Sequence, residues 1–170
     1  MKFAKPALAV FVVVALAGAL AYALMAKPAA PPQVFSTLDG RQIALAEQRG
    51  KVVLVNFWAT SCPGCVKEMP DMVKVYEDYR ERGFEIVAVA MRYDPPEYVS
   101  NFVQTRQLPF PIVLDTDGAH AKTFGEAYGG GEVQLTPTSF IIDRDGRILE
   151  KKLGEIDFVR LRALLDRELS

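Results

Sequence analysis

The chain of 170 residues contains two cysteines, Cys62 and Cys65, with two residues between them, within the segment WATSCPGCVKEMP (residues 58–70). Two thiols at this spacing could form a structural disulfide, supply part of a metal site or serve as a redox centre. Each of these alternatives needs different surroundings, so the rest of the sequence helps to choose between them.

A zinc site is the first alternative to test. Structural zinc requires four ligands from cysteine, histidine or carboxylate side chains. The chain has a single histidine, His120, far along the sequence from the cysteines, so a zinc ribbon within one chain is excluded. Two thiolates alone could still hold a soft Cu(I) ion, and copper handling therefore stays open as an alternative function.

A purely structural disulfide is also disfavoured. Closing so short a loop removes little conformational entropy from the unfolded chain. The folded part, residues 34–170, is long enough to bury a hydrophobic core without disulfide staples. We therefore favour a redox centre.

The elements around the cysteines agree with redox chemistry. The apolar run KVVLVNFWA (residues 51–59) is typical of a strand buried on both faces, and helical spacing follows from Pro63 to Arg82. Cys62 would then face the unpaired amides at the start of a helix, which lower the pKa of a thiol and make it nucleophilic. Cys65, one turn further, would be more buried and suited to resolving a mixed disulfide.

Strand and helix patterns alternate through residues 34–170. They predict an α/β fold with a central mixed sheet flanked by helices. The predicted elements are a hairpin at Asp39–Gly40, strands over 51–59, 84–91 and 111–115, helices over 63–82, 94–106 and 118–128, a hairpin at Asp145–Gly146, and a terminal helix from Asp157.

Local signals add detail to these helices. Asp94, followed by Pro95 and by Glu97, is typical of a helix start, and Tyr98 is expected to face inward. Pro70 is expected to kink the helix that follows the cysteines. His120 has no partner in its own segment and is expected at the surface. The AYGGGE segment (residues 127–132) is expected to form a mobile loop.

The first 33 residues differ in composition from the rest. Residues 7–26 carry no charge and would span about 30 Å as a helix, which predicts a membrane anchor over residues 1–26. A signal peptide cleaved near Ala21-Tyr22-Ala23 is the alternative. Residues 27–33 are rich in proline and alanine and predict a spacer. Either alternative exports the domain, most simply to a bacterial periplasm, and Lys2 and Lys5 favour a cytoplasmic N-terminus.

Composition bounds the remaining classes of function. Hydrophobic residues make up 50% and charged residues 24% of the chain, which suits a globular domain. The net charge is −1 with scattered Lys and Arg, so the sequence offers no electrostatic footprint for nucleic acid.

Three motifs together resemble one known family. VVLVNFWATSCPGC, the following KEMP and the later TPTSFIIDRDG (residues 136–146) are similar to the TlpA/ResA type of thioredoxin-like proteins, the membrane-anchored thiol–disulfide oxidoreductases of bacteria. The resemblance covers nearly all of residues 34–170. It implies a thioredoxin-like fold with an N-terminal hairpin and an extra strand and helix inserted before the last hairpin.

The resemblance also implies a site. Pro137 matches the cis-proline of the family and would lie against the cysteine pair, while Thr136 would offer its backbone to an extended substrate segment. Trp58 would pack beside the Cys62–Cys65 disulfide. Pro63 and Gly64 would complete the substrate groove.

A third ionisable group is implied at Glu68. Thioredoxins carry a buried Asp in the strand before the motif, where this chain has Asn56. The family resemblance places the ionisable group instead at Glu68, one helical turn after Cys65, where it could act as a general base or acid. The alternative is a solvated Glu on a charged helix face beside Lys67.

The implied function is reduction of protein disulfides by the cysteine pair, with no other cofactor and no metal. The family implies re-reduction by a membrane thiol transporter of the CcdA or DsbD type, and apocytochrome c as one substrate. A copper-site assembly protein is an alternative partner, and a disulfide-forming oxidase is an alternative activity because Pro63 departs from the order found in thioredoxin. A peroxidase is disfavoured, since Val55 and Ala59 replace the Pro and Thr of the P-x-x-x-T-x-x-C pattern.

Overall fold

The computed structural model describes residues 11–18 and 27–170. Residues 11–18 are helical and exposed. Across these two described ranges, no helix is both long enough and apolar enough to cross a membrane. The rest of the anchor predicted over residues 1–26 lies outside the described residues.

A five-stranded mixed sheet forms the centre of the domain, with strand order β5-β4-β3-β6-β7. β3, β4 and β5 run parallel, whereas β6 is antiparallel to both β3 and β7. β1 and β2 form the predicted N-terminal hairpin, which meets the sheet at a bridge between Thr37 and Val113. The strands are β1 Val34–Ser36, β2 Gln42–Ala44, β3 Val52–Trp58, β4 Phe84–Ala90, β5 Ile112–Leu114, β6 Thr138–Ile142 and β7 Ile148–Leu153.

Four helices cover the domain: α1 Pro63–Tyr79, α2 Pro96–Arg106, α3 Ala119–Ala127 and α4 Phe158–Glu168. α1 runs through Pro70 and ends three residues earlier than predicted. A 3-10 turn, Arg80–Arg82, leads from it to Gly83, which takes a left-handed φ of 101°. β5 and α3 precede the last hairpin, in the position expected for the inserted strand and helix.

Two hydrophobic clusters pack on opposite faces of the sheet, and β3 contributes to both. Leu54 and Trp58 belong to the cluster under α1, α2 and α4. Val55 and Phe57 belong to the cluster under the β1–β2 hairpin and α3. All seven residues of β3 are buried, which explains why its sequence, apart from Asn56, is apolar on both faces instead of alternating.

The predicted start of α2 is wrong. Asp94 does not cap the helix; Pro95 occupies that position, and the helix begins at Pro96. The Asp94 side chain is buried and is already bound to Thr60, 34 residues earlier in the chain. The prediction that Tyr98 faces inward is also wrong, since Tyr98 is 62% exposed. Its neighbour Val99 is the buried residue of α2 instead.

His120 lies less exposed than expected. Its ring is half-buried, with its centroid 4.8 Å from that of Phe35, and its Nδ1 meets the side-chain oxygen of Gln33. Both neighbours come from the start of the domain. The sequence around His120 therefore carries no sign of either neighbour.

Residues 27–33, interpreted above as a spacer, lie along the domain instead of extending from it. Ala29 forms a bridge with Arg147, and Ala30 N donates to Gly146 O at 2.9 Å. Ile148 N donates to Pro28 O at 2.8 Å. β7 is an edge strand, and a sheet edge tolerates proline where the missing N–H would face away from the sheet; Pro28 takes part here through its carbonyl oxygen.

Candidate active site

The cysteine pair lies where β3 ends and α1 begins. Cys62 is the N-cap of α1, and its Sγ accepts a hydrogen bond from Cys65 N at 3.2 Å. Pro63 opens the helix, where its missing N–H costs no helical hydrogen bond. Cys62 and Cys65 form a disulfide with Cα atoms 5.3 Å apart. Cys65 is fully buried and Cys62 is half-buried, so Cys62 presents the accessible sulfur.

The cis-proline lies against the turn of the cysteine motif. The Thr136–Pro137 peptide bond is cis, which agrees with the expectation from the sequence. A β-carbon added at Gly64 would lie 3.7 Å from Pro137 Cδ. The Thr136 hydroxyl lies 3.3 Å from the phenol oxygen of Tyr93. The structure thus places the buried Pro137 against Gly64, with the half-buried Thr136 preceding it in the chain.

Trp58, the last residue of β3, lies in the core. It is fully buried in the hydrophobic cluster that also contains Cys65 and contacts Cys62. Its ring centroid is 5.4 Å from that of Phe102 on α2. Trp58 is therefore a core aromatic that shares one hydrophobic cluster with the cysteine pair.

Glu68 is buried, and the solvated-face alternative is wrong. Only 3% of the residue is exposed. Its Oε1 accepts from Asn56 Nδ2 at 3.2 Å and its Oε2 from Ile156 N at 3.1 Å. Burial raises the pKa of Glu68 to about 7, against the lowering effect of these two hydrogen bonds, with a smaller contribution from the charge of Glu155. The carboxyl can therefore exchange a proton near neutral pH.

Asn56 links this carboxyl to the sheet. It is fully buried, and its Nδ2 also donates to Ser139 Oγ at 2.9 Å. Asn56, Glu68 and Ser139 thus join β3, α1 and β6 in one polar cluster. Within the described part of the chain, Asn56 Oδ1 has no hydrogen-bond partner.

Asp94 is a residue of the site that the sequence analysis assigned elsewhere. Its carboxylate accepts from both Thr60 N and Thr60 Oγ1, each at 2.6 Å. Thr60 lies two residues before Cys62, so Asp94 fixes the loop that carries the cysteine. A sequence signal did exist, because Asp94 follows a buried parallel strand, and the carboxyl ends of such strands meet at one edge.

Glu155 is a second residue that the sequence analysis missed. Its Oε2 lies 2.7 Å from Lys67 Nζ, and its side chain reaches the cysteine motif at Gly64. No sequence signal could have found it, because the contact depends on how β7 returns towards α1. Among residues 11–18 and 27–170, no group of three or more His, Cys, Asp or Glu side chains is placed to hold a metal ion.

The chain was compared with known proteins. The model of the redoxin family matches residues 25–165, a range that includes both cysteines, Glu68 and Pro137. The chain is 41% identical over 129 residues to the thiol-disulfide oxidoreductase ResA of Bacillus thuringiensis subsp. konkukian, covering 74% of this chain and 68% of that protein. It is 36% identical over 125 residues to ResA of Bacillus subtilis, covering 74% and 65%.

Solved structures of similar proteins superpose on most of this chain. A thiol:disulfide interchange protein of the thioredoxin family from Chlorobium tepidum superposes with a TM-score of 0.77 at 30% identity, covering 85% of this chain and 98% of that one. StoA from Bacillus subtilis superposes with a TM-score of 0.63 at 28% identity, covering 79% and 97%.

Proposed function

Because this chain belongs to the redoxin family and is a thioredoxin-fold protein-disulfide oxidoreductase, we propose that it is a reductant of protein disulfides outside the cytoplasm. The observation that carries this proposal is the arrangement of the cysteine pair. An accessible Cys62 caps a helix, a buried Cys65 follows one turn later, and a buried carboxyl lies in the same helix.

The first step is attack by the reduced enzyme. The Cys62 thiolate, stabilised by the N-terminal amides of α1, attacks one sulfur of the substrate disulfide. A bond forms between Cys62 Sγ and that sulfur, and the other substrate sulfur leaves as a thiolate. Cys62 takes this role because Cys65 is closed to solvent.

The second step releases the substrate. Cys65 Sγ attacks Cys62 Sγ, the second substrate sulfur leaves as a thiolate, and the Cys62–Cys65 disulfide forms. Two electrons pass from the cysteine pair to the substrate. Glu68, three residues after Cys65 on the same helix, accepts the Cys65 proton as the thiol becomes a nucleophile. Its pKa of about 7 suits this role at neutral pH.

The substrate segment lies in a groove beside the disulfide. We assign its walls to Thr136 and Pro137 on one side and to Pro63 and Gly64 of the cysteine motif on the other. The backbone of Thr136 binds the segment in an extended form, and Trp58 supports the disulfide from below. The support for this assignment is the approach of Pro137 to Gly64.

Continued turnover needs a source of electrons. We propose a membrane dithiol donor of the CcdA or DsbD type, and reduction of haem-binding cysteines in apocytochrome c as one use. The apolar run over residues 7–26 supports an inner-membrane anchor with the domain in the periplasm. The family resemblance supports the donor and the substrate.

The test of direction is the reduction potential of the full chain. We expect a value near the −270 mV of thioredoxin, which would make the pair a reductant of other disulfides. A value near −120 mV, typical of a strong oxidant, would contradict the proposal and assign the chain to disulfide formation. Equilibration with glutathione or dithiothreitol buffers gives this number directly.

A further inference from the structure

Three consecutive residues between β7 and α4 contact four parts of the active site. Gly154 N donates to Pro137 O at 2.8 Å, and Ile156 N donates to Glu68 Oε2 at 3.1 Å. Between them, Glu155 reaches both Lys67 and Gly64. We call residues 154–156 the return loop.

Glu155 brings a negative charge to the start of α1. A β-carbon added at Gly64 would lie 3.5 Å from both Cγ and Oε1 of Glu155. Its other carboxylate oxygen, Oε2, pairs with Lys67 Nζ at 2.7 Å. The carboxylate therefore lies across the turn between the two cysteines, held from the side by Lys67.

On the basis of the proposed function, we propose that Glu155 is a positioning residue for disulfide exchange. Its carboxylate, held over Gly64 by Lys67, opposes the negative charge that forms on Cys62 and so keeps the cysteine pair reducing.

The physical reason is a contest between two charges at one helix end. The amides of α1 and the ammonium of Lys67 favour a thiolate at Cys62, whereas the carboxylate of Glu155 disfavours it. A pair whose reduced form is stabilised is a stronger oxidant. Removing the charge of Glu155 leaves Lys67 unopposed, which stabilises the reduced form and makes the pair more oxidising.

The charge of Glu155 also acts on Glu68. The side chain that binds Glu68 from β3 is the neutral Asn56, and Asn56 in turn binds the neutral Ser139 on β6. On the helix of Glu68 itself, Lys67 and the cysteine pair are titratable or charged neighbours. The return loop contributes Glu155, whose charge raises the pKa of Glu68. The cavity next to Ile156 is also lined by charged side chains, which are Glu150, Lys152, Asp157 and Arg160.

The experiment compares Glu155→Gln and Lys67→Gln in the full chain. For Glu155→Gln we expect the pH profile of Cys62 alkylation to move down by about half a unit, because the ion pair is partly exposed. The reduction potential should become more positive. For Lys67→Gln both quantities should move in the opposite direction, and the double variant should return towards wild type.

A matched control is Glu150→Gln, which breaks the 2.8 Å ion pair with Arg160 on the same strand–loop–helix unit but away from the cysteine motif. This control should leave the alkylation profile and the potential unchanged. The shifts caused by Glu155→Gln and Lys67→Gln should shrink in 1 M salt, where exposed charges are screened.

Shifts of the same sign in the two single variants, or no shift in either, would overturn the inference. These measurements follow the cysteine pair alone, so they are independent of any substrate protein. If the wild-type chain failed to reduce protein disulfides, the proposed function would fall while the role of Glu155 would still be decided.

Discussion

Glu68 is a carboxyl that water hardly reaches, and this burial has two measurable consequences. Its ordinary pKa of 4.5 rises to about 7 in the folded chain. The folded state then holds a proton that the unfolded state releases between these two values. Folding is therefore favoured below pH 4.5 and becomes less favourable as the pH rises towards 7.

Glu68→Gln tests this directly. Because a glutamine carries no charge to bury, the variant should gain stability over wild type as the pH rises above about 4.5, reaching about 3 kcal/mol at pH 8. Urea unfolding of the oxidised chain at pH 4 and pH 8 measures this difference. The pH dependence of disulfide reduction should also lose the step near pH 7. A constant difference across this range would mean that Glu68 does not titrate there.

The two cysteines should fail in different ways. Cys62→Ser removes the accessible nucleophile and should abolish reduction of a protein disulfide such as that of insulin. Cys65→Ser leaves the first step intact and removes the second, so a mixed disulfide with the substrate should accumulate on non-reducing gels. Accumulation in Cys62→Ser instead would reverse the assigned order of attack.

At the level of elements, the site depends on loops that are tied together over long distances in the chain. Asp94, in the loop after β4, binds Thr60 in the loop after β3 through two short hydrogen bonds. A charge-assisted hydrogen bond contributes about 1.5–3 kcal/mol. The loop that carries Cys62 is therefore held by the loop after β4 as well as by its connection to α1.

Asp94→Ala should free the cysteine loop. We expect a loss of about 2–4 kcal/mol in the free energy of unfolding and a lower rate of disulfide reduction. Asp94→Asn can keep both contacts, with its amide NH2 donating to the Thr60 hydroxyl, and should recover most of the loss. Asp71→Ala, which breaks an exposed pair with Lys74 on α1, is the control and should change stability by less than about 1 kcal/mol.

The backbone of α3 lies very close to the three glycines that follow it, residues 129–131, and this contact can be tested by substitution. A β-carbon at Gly125 would lie 1.6 Å from Gly131 O, and Gly130 N donates to Gly125 O at 3.0 Å. Since backbone atoms cannot move aside as a side chain can, Gly125→Ala should lower the free energy of unfolding by at least about 3 kcal/mol. A β-carbon at Gly130 would lie 3.2 Å from the flexible end of Lys151 and 4.0 Å from Gly125 O, which is an ordinary contact distance, so Gly130→Ala should be tolerated. Equal stabilities in urea would contradict this packing.

At the scale of the whole molecule, the sequence predicted most of the fold because hydrophobic periodicity records burial. The continuous run of β3 and the helix after the cysteines were both found this way, and their junction located Cys62 and Cys65. Asp94, His120 and Glu155 were misassigned or missed for one common reason. Their partners, Thr60, Gln33 and Lys67, lie far away in sequence, and capping rules or local searches see only neighbours in the chain.

The docking of residues 27–33 sets where the chain enters the domain relative to the disulfide. These residues pair with the β6–β7 turn, and β6 pairs with β3 so that this turn lies at the end of the sheet opposite Cys62. β3 has seven residues, a span of about 23 Å. The chain therefore enters the domain about one strand length from the disulfide, at the opposite end of the sheet. A substrate that reaches Cys62 approaches the end of the sheet away from the entering chain.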